Sequence, residues 1–235
     1  MVFNVIPIGF FINSTPANIV LSNCLSVITL IQVTAVRYQT IYLENTMLRK
    51  NAIALLIASC LPMSAFAADS YTVDPTHTYA HFTVSHFGYS TMHGRFDQSA
   101  GKVTLDTAAK TGTVDITIQA ASVSTGYGKR DDHLRSPDFF NAAEFPTITY
   151  KASSIKFKGN TPSTVEGQLT MLGVSRPVTL TIDAFKCGPN PMSKKEECGA
   201  AATAQIKRSD FGMKTFLPGV GDDIKLEFEI EAYKD

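Results

Sequence analysis

The densest run of groups able to do chemistry is Gly126 to Pro146, GYGKRDDHLRSPDFFNAAEFP. Lys129, Arg130, Asp131, Asp132, His133 and Arg135 crowd its first half, and Phe139, Phe140 and Phe145 its second. Asp131 or Asp132 with His133 would be an acid/base pair, but neighbours on a helical turn do not face each other, so this spacing assembles none. The chain has no Gly-x-Ser-x-Gly, no free cysteine beside a base and no phosphate-cradling glycine loop. A zinc or copper centre would need converging histidines with partners fixing their rings. His77, His81 and His86 share one strand region, yet His81 and His86 fall on opposite faces. With His93 and His133 they read as surface rings and turn hydrogen bonds, with no metal, no cofactor and no catalytic residue.

The elements that position these residues occupy only part of the 235-residue chain. Residues 48–67, LRKNAIALLIASCLPMSAFA, join a basic head (Arg49, Lys50) to an apolar run (Ala52 to Pro62) and a small-residue exit, Ala65-Phe66-Ala67. Those are the three parts of a secretory signal peptide, with cleavage expected between Ala67 and Ala68. Met47 directly precedes them and is the expected start. Residues 47–67 are then the signal, and 1–46 an extension from a start placed too far upstream. A membrane anchor in 1–46 is the alternative, but the apolar run Cys24 to Val36 is broken by polar residues and shorter than the ~20 residues of a span. Ile57-Ala58-Ser59-Cys60 also resembles a lipoprotein cleavage box, with the better-formed Ala65-x-Ala67 exit just downstream.

Residues 68–235 are then the mature chain, long enough for one domain with a sizeable core. Setting aside Arg37, Glu44, Arg49 and Lys50 leaves 18 bases and 20 acids, which gives no footprint for nucleic acid. Cys187 and Cys198 bracket the polar, turn-rich GPNPMSKKEE. In an exported chain they are expected to form a disulfide, and a two-cysteine metal site finds no histidine near that loop.

Strand signals dominate the mature chain. Tyr79 to His86 alternates, with Ala80, Phe82, Val84 and His86 on one face. Gly101 to Asp106 and Thr113 to Gln119 flank a hairpin loop at Thr107 to Gly112. Thr147 to Ala152 and Ser154 to Lys158 follow the charged-aromatic segment. Val165, Gly167, Leu169 and Met171 share a face, a turn follows at Leu172 to Ser175, and Val178, Leu180, Ile182 and Ala184 share the next. Ala200 to Lys207 is a weaker strand. In Ile224 to Ala232 the even positions are apolar and Lys225, Glu227, Glu229 and Glu231 point outward. Eight or nine such strands with short connections imply an antiparallel barrel or a sandwich. The segment 126–146 favours the barrel, because a sandwich has no mouth to cover. Ser136-Pro137-Asp138 reads there as a helix start. One or two helical turns would lie over the barrel end, polar outside and aromatic inside.

Fifteen phenylalanines, with no tryptophan, exceed what a small barrel needs to plug itself. An eight-stranded barrel either fills with side chains or holds one small ligand. An apolar interior under a charged lid suits a long apolar ligand with a polar head. Each buried methylene contributes about 0.8 kcal/mol, so one five-carbon isoprene unit contributes roughly 3–4 kcal/mol gross.

Four blocks carry a resemblance to a known family. In HTYAHFTVSHFGYSTMHGRF they are His77, Phe82, Val84, His86, Gly94 and Phe96. In RDDHLRSPDFFNAAEFP they are Arg130, Asp131, His133 to Ser136, Phe139, Phe140, Phe145 and Pro146. GQLTMLGVSRPVTL (Gly167 to Leu180) and RSDFGM (Arg208 to Met213) complete the set. From about Tyr71 to Ala232 the chain resembles the YceI-like proteins, periplasmic lipocalin-like barrels that bind polyisoprenoid lipids. The Cys187–Cys198 loop departs from that pattern.

The resemblance implies an all-β fold, an antiparallel eight-stranded lipocalin-like barrel with a short helical lid over one end. It also implies a periplasmic carrier or sequestering protein for an isoprenoid lipid, such as a polyprenyl phosphate or an isoprenoid quinone, with no enzymatic activity. The alternative is an enzyme or metal-dependent redox accessory acting on a quinone-like substrate. Candidate ligand contacts are the inward-facing Phe82, Val84, Ile116, Ile118, Leu169, Leu180, Ile182, Phe228 and Ile230, with Phe139 and Phe140 closing the mouth. Arg130, His133 and Arg135 are candidates for a ligand head group or, equally, members of lid ion pairs with Asp131, Asp132 and Asp138. Transient contact with the inner-membrane surface and a homodimer are further expected associations.

Overall fold

Period-two alternation carries most of residues 68–235 into strands, and every pairing among them is antiparallel. The structure, a computed structural model, describes residues 68–235; the expectations for 1–46 and for the export segment 47–67 lie outside the described residues. Eleven strands are present among them: β1 (Asp69–Val73), β2 (Tyr79–His86), β3 (Ser90–Phe96), β4 (Ser99–Asp106), β5 (Thr111–Gln119), β6 (Val123–Ser124), β7 (Thr147–Lys158), β8 (Thr161–Met171), β9 (Val174–Pro189), β10 (Glu196–Lys207) and β11 (Val220–Lys234). One α-helix, α1 (Gly128–Arg135), stands between β6 and β7.

Eight strands close a ring in the order β1-β4-β5-β7-β8-β9-β10-β11, and β11 returns to β1 through Tyr71 opposite Lys234 and Val73 opposite Ala232. The fold is a closed, antiparallel eight-stranded barrel. β2 continues the path of β1 along the other half of β11, with Ala80 opposite Phe228 and Val84 opposite Ile224. β3 pairs with β2, and β6 with the end of β3. The registers put the β2–β3 and β8–β9 turns, the β10–β11 connection and residues 125–146 at one end, the lid end. The β4–β5 turn, the β7–β8 turn and the Cys187–Cys198 loop lie at the other.

Inward positions of β5, β7 and β8 form the core: Val114, Ile116, Ile118, Ile148, Tyr150, Val165 and Leu169 are all buried. The expected faces of β2, β8 and β11 point inward, except that His86, at the end of β2, is exposed. In β9 the alternation fails at one place. Pairing slips between Ala201 and Ala202, so that Ala201 faces Ala184 while Ala202 faces Ile182, with Asp183 as the extra residue. The bulge reverses the parity beyond it. Ala184, expected inside, is exposed, and Phe185 turns in. Thr147–Lys158 is a single strand rather than two, its break being a bulge between Lys151 and Ser154.

The lid helix also differs from the expected one. It occupies the charged half of the segment, and Ser136 ends it rather than starting it. Pro137 excludes helical backbone at the residue before it. Ser136 accordingly sits at φ −72°, ψ 168°, its N–H closing onto the His133 carbonyl. The aromatic half then folds back as turns, with the Phe140 N–H donating to the Leu134 carbonyl at 2.9 Å and the Asn141 N–H to the Ser136 carbonyl at 2.9 Å.

Candidate functional site

Beneath the lid the barrel holds a cavity of about 110 Å³. Its lining surface is apolar. Phe82, Val84, Ile118, Phe139, Phe140 and Leu169, six of the residues singled out by sequence, line it. Ile148, Met171, Met213 and Leu226 line it too and were not singled out, although the same alternation marks Met171 and Leu226. Phe82 takes its place because Gly94, opposite it on β3, has no side chain: a Cβ there would overlap the phenyl ring. Phe82, Phe96 and Phe140 form a cluster of tilted and edge-on rings at 5.2–6.3 Å between centroids, which ties the lid to β2 and β3.

A second apolar cavity, about 80 Å³, lies toward the far end. Leu180, Ile182 and Ile230 line it, with Leu105, Phe185 and the disulfide-bonded Cys198. Ile116 and Phe228 line neither cavity. The expected Cys187–Cys198 disulfide is present, joining residues directly opposite each other on β9 and β10.

The polar lid residues are engaged within the lid. Buried Asp131 accepts the Thr125 N–H at 2.9 Å and the Thr125 hydroxyl. Arg130 donates from Nε to the Thr125 hydroxyl at 2.6 Å and from Nη2 to its carbonyl at 2.7 Å. Arg135 pairs with Asp132 at 2.6 Å, and His133 Nε2 lies 3.0 Å from Asp138. Asp131, Asp132 and His133 therefore diverge to three different partners. His133 is the one of the three head-group candidates packed among the mouth aromatics, edge-on to Phe139 at 5.0 Å and to Phe216 at 6.0 Å.

Arg208, matched in sequence only as part of RSDFGM, has a large structural role. It is 3% exposed, and its guanidinium donates to four carbonyls, those of Met213, Thr215, Val220 and Gly221, at 2.8–3.2 Å. Burial draws its pKa below the ordinary value, with Asp222 opposing. The rim segment between β10 and β11, which supplies Met213 to the cavity and Phe216 to the mouth, is thus wrapped around one cation. Its acceptors are backbone atoms, so no side-chain pattern announces them.

The histidines do not converge. His77 Nδ1 lies 2.8 Å from Asp74 and 3.8 Å from Glu231, His81 pairs with Glu229, and His86 packs edge-on to Phe87. Asp74, His77 and Glu231 are the one histidine–carboxylate group among the described residues close enough to share an ion, and none of them lines either interior cavity. The hydrogen bond to Asp74 raises the His77 pKa, and the same bond lowers that of Asp74. Burial, then Glu197 beside it, raises Glu231.

Residues 71–232 match the YceI-like domain. Protein YceI of Escherichia coli O157:H7 is 35% identical over 190 residues, spanning 79% of this chain and 98% of that protein. A UPF0312 protein of Shewanella denitrificans is 34% identical over 191 residues, 80% of this chain and all of its own. Among solved structures, the YceI protein of Campylobacter jejuni superposes with a TM-score of 0.56 at 31% identity, over 64% of this chain and 90% of that one. A Saccharophagus degradans domain described as polyisoprenoid-binding shares the fold at a TM-score of 0.53 and 17% identity, over 70% and 98% of the two chains. With the motifs, the closed barrel and its lid all in place, this chain belongs to the YceI-like family.

Proposed function

We propose that this protein is a periplasmic carrier or sequestering protein for an isoprenoid lipid, with the hydrocarbon chain in the cavity under the lid. The observation that carries the reading is the cavity's apolar inner surface, to which Phe139 and Phe140 of the lid contribute, with His81 and Arg208 also among the residues around it. The Saccharophagus domain of the same fold, described as polyisoprenoid-binding, supports the ligand class. The disulfide supports an oxidising compartment. No lid cation is needed for affinity: at roughly 3–4 kcal/mol gross per buried isoprene unit, a few units outweigh the cost of ordering the ligand. His133, between Phe139 and Phe216, is the best-placed of the three lid candidates for a polar head. Exposed Phe87, Tyr89 and Phe216 at the lid end support transient contact with a membrane surface during loading.

Organic-solvent extraction of protein exported with its signal intact, followed by mass spectrometry, tests the reading. Isoprenoid near one molecule per chain is expected. Its absence from freshly purified, folded protein overturns the carrier function.

A further inference from the structure

The two interior cavities share no lining residue, and on five strands one inward position lies between them. On β5 the order is Ile118 in the lid-end cavity, Ile116 in neither, Val114 in the far one. On β8 it is Leu169, Gly167, Val165; on β10, Ile206, Ala204, Ala202; on β11, Leu226, Phe228, Ile230. On β7 Tyr150 takes the intermediate place. β7 and β11 are four strands apart in either direction around the ring, so Tyr150 and Phe228 face each other across it.

The two halves of this waist are held differently. The Tyr150 hydroxyl lies 2.9 Å from the carbonyls of both Val165 and Val178 and shares its proton between them, while its ring fills the space above Gly167. Phe228 has no polar tether, and its register partners on both neighbouring strands, Ala80 and Ala202, are small. The tyrosine is tethered at its tip, and the phenylalanine is flanked by small residues on both neighbouring strands.

Resting on the carrier reading, we propose that Tyr150 and Phe228 form an end-stop that sets the length of isoprenoid chain the barrel accepts. A chain entering under the lid fills the first compartment and meets the waist. Longer chains are bound only to the extent that Phe228 gives way, and beyond it they gain the second compartment.

Delipidated protein titrated with geraniol, farnesol, geranylgeraniol and solanesol tests this. In the native chain, affinity should rise with each longer probe until the chain reaches the waist, then level off. Phe228→Ala should move that break to a longer probe and raise affinity for the first probe beyond it by about tenfold. Phe228→Leu, a milder change that keeps the layer apolar, should move it in the same direction by less. Leu226→Ala, within the lid-end cavity, should weaken every probe without moving the break. A break at the same probe in folded Phe228→Ala and Phe228→Leu, or a native affinity that climbs unbroken through solanesol, overturns the end-stop while leaving the carrier standing. Binding of no probe by the native chain removes both.

Discussion

The ring of Tyr150 occupies the place a side chain at Gly167 would fill: a Cβ there would stand 2.5 Å from Tyr150 Cζ and 2.7 Å from its hydroxyl oxygen. A glycine inside a strand forgoes packing and is kept where another group must come close. Gly167→Ala should therefore lower stability by about 1–3 kcal/mol through overpacking. Tyr150→Phe keeps the ring and removes the hydroxyl shared by two buried carbonyls, for a loss of about 1 kcal/mol. Urea unfolding reads both. If Gly167→Ala in a Tyr150→Ala background costs as much as in the native chain, the contact is not the cause.

Arg208 yields a second prediction. Truncation to Ala leaves four carbonyls of the rim without their donor and should destabilise by about 3 kcal/mol, with hydrogen exchange accelerating first in residues 213–221. Lysine should recover little, because a point charge does not reproduce the guanidinium fork. Full recovery by Arg208→Lys would contradict the role given to that fork.

The Asp74–His77 pair sets an expectation for pH. His77 is raised from its ordinary 6.5, so its contribution is full below that pH and is lost as pH rises through the folded value. Asp74 is lowered from its ordinary 3.8, so its contribution is full above that pH and is lost on acidification through the folded value. Glu231, raised from its ordinary 4.5 first by burial, also contributes stability that is lost as pH rises from 4.5 through its folded value, a window that begins below that of His77. An NMR titration should give His77 a pKa above 6.5 that falls back in Asp74→Asn. Because His77 is largely exposed, the effect on global stability should be small.

The disulfide joins paired positions on β9 and β10 across a loop of sequence separation 11. Replacing both cysteines by serine should cost at most about 3 kcal/mol, and native protein under reductant should lose a similar amount. Cys198 lines the far cavity and not the lid-end one, so binding of short probes should survive the substitution. Loss of short-probe binding in the folded double variant would couple the two ends.

Several features were legible in the sequence because they depend only on neighbouring residues. The alternation from Ile224 to Ala232 fixes its own inner face, and the lid aromatics Phe139 and Phe140 do point inward. β3 escaped notice because STMHGRF has no run of large apolar residues; its inner face includes Gly94, shaped to receive Phe82 from the next strand. Ala184 was misplaced because a bulge is a property of two strands, visible only when β9 and β10 pair. Tyr150, Arg208 and the waist were hidden for the same reason: their partners are backbone carbonyls, a glycine, or a ring across the barrel.

Location of the bound chain tests the central claim most directly. With methyl-labelled protein and unlabelled geranylgeraniol, intermolecular NOEs should connect the chain to the methyl groups of Ile118, Ile148 and Leu226, which line the cavity under the lid. Bound ligand whose NOEs reach only exposed rim residues such as Phe87 and Phe216, with none to those interior methyls, would contradict an isoprenoid held within the barrel.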